Sequence, residues 1–263
     1  SGFHPSDLII LAARPAMGKT AFALNLATNA AIKNKTPVAI FSLEMPKEQL
    51  AMRLLSSESK LDSKRLKTAN LQDHEYKQLM HAMGSLTDAP IYIDDSPGLS
   101  PMELRAKVRY LQSTTDVKLI IIDYMQLMRS GKKRPESRFQ EVSEIVRDVK
   151  GFAKESQIPI IALSQLSRAV EQRAADDRRP RLSDLRESGE FEQTADLVLF
   201  IHRDDYYEQP QTQETPYQQA SKTELIIAKH RNGATGSVNL TFQKEISKFR
   251  PHTNEPAPPV HAT

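Results

Sequence analysis

The sequence predicts an α/β domain: a mostly parallel central sheet flanked by helices, with an antiparallel C-terminal edge. Three observations predict it. Short apolar runs of strand length recur along the chain and alternate with helix-like stretches. The strongest of them, Leu119-Ile120-Ile121-Ile122, is apolar throughout, as a strand buried on both faces must be. The last two strand candidates, residues 223–229 and 238–242, flank Asn232-Gly233-Ala234-Thr235-Gly236, which has the composition of a hairpin turn.

Taken in order, Leu8-Ile9-Ile10-Leu11 is the first strand, and Phe22, Leu24, Leu26, Ala27 and Ala31 lie in the helix that follows. Val38-Ala39-Ile40-Phe41 is the second strand. Pro46 suits the first turn of a helix carrying Leu50, Arg53, Leu54 and Leu55. Residues 63–83 read as one polar helical stretch, and Ile91-Tyr92-Ile93 as a third strand. Ser100-Pro101-x-Glu103 has the pattern of a capping box. Phe139, Val142, Ile145, Val149 and Phe152 recur at helical spacing, predicting an amphipathic helix over 138–155. Residues 158–163 and 197–201 are further strands. Residues 129–137, 168–183 and 204–221 read as loops, and the Pro-rich residues 251–263 as a disordered tail.

Composition narrows the function classes. The chain has 263 residues, of which 39% are hydrophobic and 26% charged, enough to bury one large core. No apolar run approaches the ~18 residues of a membrane span. The opening Ser1-Gly2-Phe3-His4-Pro5 has no basic region before an apolar run, so no secretory signal is expected. Cysteine is absent, which excludes a disulfide framework, a thiolate metal site and a cysteine nucleophile. With 36 basic and 33 acidic residues, net charge alone does not announce a nucleic-acid partner.

Gly18-Lys19-Thr20, at a strand-to-helix turn, matches the second half of the phosphate loop G-x-x-x-x-G-K-[ST]. Amides at the helix start would face phosphate oxygens, Lys19 would reach the β- and γ-phosphates, and the Thr20 hydroxyl would ligate Mg²⁺. The motif's first glycine is replaced by Ala13, where a left-handed backbone would be costly, and Pro15 removes one amide. Asp123 closes the apolar strand 119–123, the place of the Walker B carboxylate that holds Mg²⁺ through water. Hydrolysis also needs a group that activates water. Glu44, just beyond the second strand, is the candidate; that strand is expected beside the phosphate-loop strand. From position alone Glu44 reads equally well as an ordinary helix-start glutamate.

As an ordered set, six segments resemble the C-terminal motor domain of the DnaB family of replicative ring helicases, which has a RecA-like ATPase fold. They are residues 12–20, Phe41-Ser42-Leu43-Glu44-Met45, Ile122-Asp123-Tyr124-Met125-Gln126-Leu127-Met128, Leu163-Ser164-Gln165-Leu166-Ser167-Arg168, Asp184-Leu185-Arg186-Glu187-Ser188-Gly189 and Lys229-His230-Arg231-Asn232-Gly233. The family shares the alanine at position 13. The resemblance implies ATP and Mg²⁺ as cofactors, with Ala16, Met17, Gly18, Lys19, Thr20 and Ala21 at the phosphates. Arg53, Asp123, Lys229, His230 and Arg231 complete the nucleotide site. Glu44 is implied as catalytic base and Gln165 as γ-phosphate sensor. Lys229 and Arg231 are implied to reach into a neighbouring subunit's site, with Arg231 as arginine finger; without the resemblance, Lys229-x-Arg231 reads as a solvated strand end.

The resemblance further implies a homohexameric ring in the cytoplasm, holding single-stranded DNA through Arg186, Glu187 and Gly189, moving 5′ to 3′, and meeting a primase and a helicase loader. Arg129, Lys132, Lys133, Arg134 and Arg138 make a basic loop that could add electrostatic attraction, and residues 168–186 hold six arginines. The expected organisation is a motor domain over 1–250 and a tail over 251–263. The family's N-terminal helical domain is expected to be absent, and 206–219 to be a surface insertion. A RecA-type recombinase would share the phosphate loop, Glu44 and Asp123, and is the alternative.

Overall fold

The computed structural model describes residues 2–131, 137–174, 177–185, 189–203 and 221–252. Nine strands form one sheet: β1 (Leu8–Ala13), β2 (Val38–Ser42), β3 (Ile91–Asp94), β4 (Leu119–Asp123), β5 (Ile160–Gln165), β6 (Leu197–His202), β7 (Ser221–His230), β8 (Gly236–Gln243) and β9 (Lys248–Pro251). Their order is β3-β2-β4-β5-β1-β6-β7-β8-β9. The first six are parallel and the last three join antiparallel, as expected. One expectation is corrected: β2, which leads to Glu44, lies beside β4, while β1 lies between β5 and β6. Two strands therefore separate the phosphate-loop strand from β2.

The strands are apolar throughout because both faces are covered. On β1, Leu8, Ile10 and Ala12 join one buried cluster with Phe41, Val142, Val149 and Phe152, while Ile9, Leu11 and Ala13 join a second with Phe22, Leu24, Leu50 and Leu54. Helices α1 (Lys19–Thr28), continued by a π-helical turn over Asn29–Lys33, and α2 (Lys47–Ser59) supply residues to the second cluster. The first takes residues from α5 (Pro101–Gln112), α6 (Arg138–Ser156) and α7 (Gly189–Thr194).

Helix α5 carries the expected capping box: the Ser100 hydroxyl accepts from Glu103 N, and the Glu103 carboxylate accepts from Ser100 N at 2.8 Å. Helix α6 matches its expected span and buries Val142, Ile145, Val149 and Phe152, but Phe139 is exposed at the edge of the stripe. The stretch 63–83 is two helices, α3 (Ser63–Lys67) and α4 (Asp73–Thr87). Asp62 caps α3 by accepting from Lys64 N and Arg65 N, and a capping box of Gln72 and Glu75 restarts the chain as α4. Arg65 then binds both oxygens of Glu75 at 2.5 Å, tying the two helices together. Strand β9 and helix α7 were not expected: each is six residues or fewer and has no strong periodic signal. The expected tail is corrected at its start: Pro251 ends β9, paired with Leu240, and His252 N donates to the Asn239 carbonyl at 3.3 Å, while residues 253–263 and all of the proposed 206–219 insertion lie outside the described residues.

Candidate active site

The phosphate loop joins β1 to α1 at the carboxyl edge of the sheet, where open parallel sheets bind ligands. Gly18 caps α1 at φ 96°, and the other left-handed residue of the loop is Ala16 at φ 62°. Ala13 is the last residue of β1, paired in register with Gln165 and with no left-handed backbone, so alanine costs nothing there. The sequence-based concern about the missing first glycine is thereby resolved. Met17 and Ala21 are buried, so they would meet a ligand through their backbone, while Ala16 is exposed.

At Gly18 the constraint is double. Its backbone is left-handed, and a Cβ there would lie 2.9 Å from Cζ of Phe249. Phe249 is fixed: it stacks on Phe242 at 4.3 Å, meets Phe22 edge-on at 5.2 Å, and its amide donates to Asn25 Oδ1 at 2.7 Å. Strand β9 thus braces the phosphate loop from behind. Gly18→Ala is expected to destabilise the loop by about 1–3 kcal/mol and to weaken nucleotide binding, with thermal unfolding and titration of a fluorescent nucleotide as the checks.

Lys19 and Thr20 converge on Asp123. Thr20 Oγ1 donates to Asp123 Oδ2 at 2.7 Å, and Lys19 Nζ lies 3.7 Å from Asp123 Oδ1. Asp123 is buried, and its Oδ1 has no hydrogen-bond partner among the described residues. An orphaned carboxylate oxygen beside a hydroxyl is a hard-oxygen donor set, suited to a divalent cation that takes its other ligands from phosphate and water. Burial pushes the Lys19 ammonium below its usual range, and the charges of Asp123 and Glu44 oppose that shift. Lys19 also lies 4.6 Å from the Tyr124 ring centroid.

Glu44 follows β2, which pairs with the Asp123 strand β4 and not with β1. Ser42 is in register with Asp123, and Leu43 N donates to the Asp123 carbonyl at 2.6 Å. The Ser42 hydroxyl donates to the Met45 carbonyl at 2.6 Å and closes the turn, leaving Glu44 exposed. Arg53 is half-buried on α2.

On the other side, Gln165 ends β5 opposite Ala13, and Leu166 N donates to the Ala13 carbonyl at 3.1 Å. One residue on, Leu166 bridges Leu185, and Ser167 N donates to the Asp184 carbonyl at 2.9 Å. The chain leaving Gln165 therefore pairs with the chain entering residues 186–188. Arg186 and Glu187 lie outside the described residues, as do Lys132, Lys133 and Arg134; Gly189 opens α7. Three of the six arginines of the arginine-rich stretch are held in ion pairs among the described residues. Arg173 pairs with Asp184, Arg179 with Glu224 and Arg181 with Asp177. Arg138 of the basic loop pairs with Glu141.

Arg14 carries no role in the sequence reading. An arginine in a phosphate loop suggests a phosphate ligand, yet this one is buried and turned away. It donates to the Leu166 carbonyl at 2.7 Å and to Glu171 at 2.9 Å, clamping the loop to the exit of β5.

Lys229, His230 and Arg231 end β7 and enter the turn to β8. The His230 ring folds over Gly233, where a Cβ would lie 2.5 Å away. Their position is decisive. His230 pairs with Leu197, the first residue of β6, and Arg231 N donates to the Asp196 carbonyl at 2.8 Å, while Asp196 N donates to the carbonyl of Leu8, the first residue of β1. Arg231 is thus at the starting edge of the parallel strands, and the phosphate loop is at their ending edge. The six residues of β1 span about 17–20 Å between the two.

A phosphate loop on a parallel sheet, an acid-ended strand that receives the loop's threonine, and an antiparallel C-terminal edge define a nucleotide-binding domain of RecA-like fold. The chain belongs to the DnaB-like helicase C-terminal domain family, whose pattern matches residues 1–251. It is 52% identical over 249 residues to the replicative DNA helicase DnaC of Bacillus subtilis, and 51% identical to the replicative DNA helicase DnaB of Geobacillus stearothermophilus. Each match takes in 95% of this chain and 53% of the relative, so the chain spans about half the length of these curated relatives. Among solved structures, a DnaB-like replicative helicase, described with its interactions with primase, is 39% identical with a TM-score of 0.87, over 96% of this chain and 59% of that one. A second solved structure, described as an ATPase domain, gives the same identity and TM-score over 96% of this chain and 87% of that one. Among the described residues no helix is long and apolar enough to cross a membrane.

Proposed function

We propose that the chain is the motor of a replicative DNA helicase, hydrolysing ATP at sites shared between neighbouring subunits of a homohexameric ring. One observation carries this reading: Arg231 and the phosphate loop lie at opposite edges of the same sheet, too far apart for one subunit to complete its own site. Arg231 can act on a nucleotide only if a second copy brings its loop to that edge. Such a head-to-tail contact, repeated, gives a ring where the rotation between copies closes and a filament where it does not, and the family match favours the ring.

In this site the amides around Gly18 and the Lys19 ammonium bind the phosphates, and Thr20 and Asp123 are the residues that would hold Mg²⁺, which would supply neutralisation of phosphate charge. Glu44 accepts the proton of the attacking water as its oxygen bonds to the γ-phosphorus and the bond to ADP breaks. Arg231, with Lys229, comes from the neighbour and neutralises charge developing on the γ-phosphoryl oxygens. Arg53 from the same subunit and His230 from the neighbouring subunit complete the nucleotide contacts. Gln165, paired beside Ala13 and one residue from the Leu166–Leu185 bridge, relays the state of the γ-phosphate toward Arg186, Glu187 and Gly189, which hold single-stranded DNA by its backbone. The unit would include β9 through Pro251, with a tail beyond it, travel 5′ to 3′, work in the cytoplasm and cooperate with primase and a loader.

The test is the ATPase rate per chain against protein concentration, with and without single-stranded DNA. A rate that climbs steeply with concentration and again with DNA is expected. A rate per chain that is flat in concentration and indifferent to DNA would remove the shared-site motor.

A further inference from the structure

Arg231 is exposed at the turn and half-buried Lys229 lies two residues before it in β7, a poor place to hold a catalytic cation still, yet the structure surrounds them with fixed acceptors. Lys229 Nζ donates to the Glu192 carbonyl at 2.5 Å and the Gln193 carbonyl at 3.3 Å. Arg231 Nη2 donates to the same Gln193 carbonyl at 2.5 Å. These carbonyls sit at the C-terminal end of α7, where the helix leaves acceptors without an internal donor and its dipole favours cations. Arg231 Nη1 lies 3.6 Å from Asp196 Oδ1.

Asp196 is itself fixed from three sides. It is buried; its Oδ2 accepts from Leu8 N at 2.8 Å and from Lys150 Nζ of α6. Lys150 also donates to the Ser6 carbonyl at 2.8 Å. The backbone of Asp196 bonds Leu8 on one side and Arg231 on the other. One carboxylate therefore has an oxygen committed to the core of its own subunit and the other turned to the guanidinium.

We propose that Asp196 is a positioning residue for the neighbour's nucleotide site: with the terminal carbonyls of α7, it holds Arg231 in the orientation from which it is presented across the interface. Asp196 lies at the starting edge of the sheet, away from its own phosphate loop, so its effect is exerted in trans. This rests on the assignment of Arg231 as a finger in trans, and the test keeps the two claims separate.

Asp196→Asn keeps the size and an acceptor for Leu8 N but removes the charge that orients Arg231. Because the substitution leaves Lys150 without its counter-ion, Asp196→Asn with Lys150→Met is made in parallel as a charge-free pair. Thermal unfolding selects the variant that folds. The DNA-stimulated ATPase rate of that variant is expected to fall about 10- to 100-fold, the scale of a misplaced catalytic group. Mixing then locates the defect. With Glu44→Gln subunits, which carry intact fingers, activity should recover. With Arg231→Ala subunits, which carry intact bases but no finger, it should not. Recovery with Arg231→Ala but not with Glu44→Gln would place the defect in the variant's own nucleotide site and overturn the proposal. Recovery with neither partner, or an unchanged rate before mixing, would overturn it too. A control mixture of Glu44→Gln with Arg231→Ala that fails to recover would instead strike at the trans finger itself.

Discussion

Glu44→Gln should lower ATP hydrolysis by about 10²–10⁴-fold, the usual contribution of a positioned general base, while nucleotide binding persists. The amide matches the carboxylate in size but cannot accept the water's proton. Glu44 is exposed on a turn held by Ser42 and Asp123, so its replacement leaves the fold's contacts intact and should shift stability by no more than about 0.5 kcal/mol. Single-turnover hydrolysis and nucleotide titration on the same sample separate the two effects. Equal loss of binding and hydrolysis would mean that Glu44 holds the nucleotide rather than activating water.

Arg231→Ala should cost about 10³–10⁵-fold in rate, the range for an arginine that neutralises a phosphoryl transition state. The loss should persist at every protein concentration, because assembly cannot supply a missing guanidinium. Arg231→Lys should recover little: an ammonium lacks the planar fork that can bind Gln193 O and face Asp196 together. Rates across a concentration series for all three proteins check this. Full activity of Arg231→Ala would return the residue to a solvated strand end.

The sheet was legible wherever a strand is buried on both faces. The apolar runs of β1, β2, β4, β5 and β6 have few other uses in a chain of this composition, and each forms at nearly the expected residues. Lys19, Thr20 and Asp123 were legible as a set because strand ends and a helix start place them without knowledge of strand order. Strand order itself was not legible: consecutive strands usually neighbour one another, and here β4 and β5 insert between β2 and β1. Glu44 still follows a strand paired with that of Asp123, β4 rather than β1 being its neighbour.

The cradle of Arg231 was hidden for a different reason. Asp196, Lys150 and Leu8 are far apart in sequence, and the Glu192 and Gln193 groups that matter are backbone carbonyls. Nothing in the sequence signals the partners of Arg14, Leu166 and Glu171, which lie more than 150 residues away. Helix α7 and strand β9 are too short for periodicity to register, yet one carries the acceptors of Lys229 and Arg231 and the other braces Gly18.

The central claim is that each nucleotide site is built from two copies of the chain, with Glu44 from one and Arg231 from the next. The most direct measurement is the ATPase rate of a titrated mixture of Glu44→Gln and Arg231→Ala proteins, each nearly inactive by itself. If the sites are shared, the mixture regains activity, because some interfaces join an intact base to an intact finger, and the rate passes through a maximum at intermediate ratios. A rate that stays at the sum of the two inactive proteins at every ratio, with mixed assemblies verified, would contradict the account.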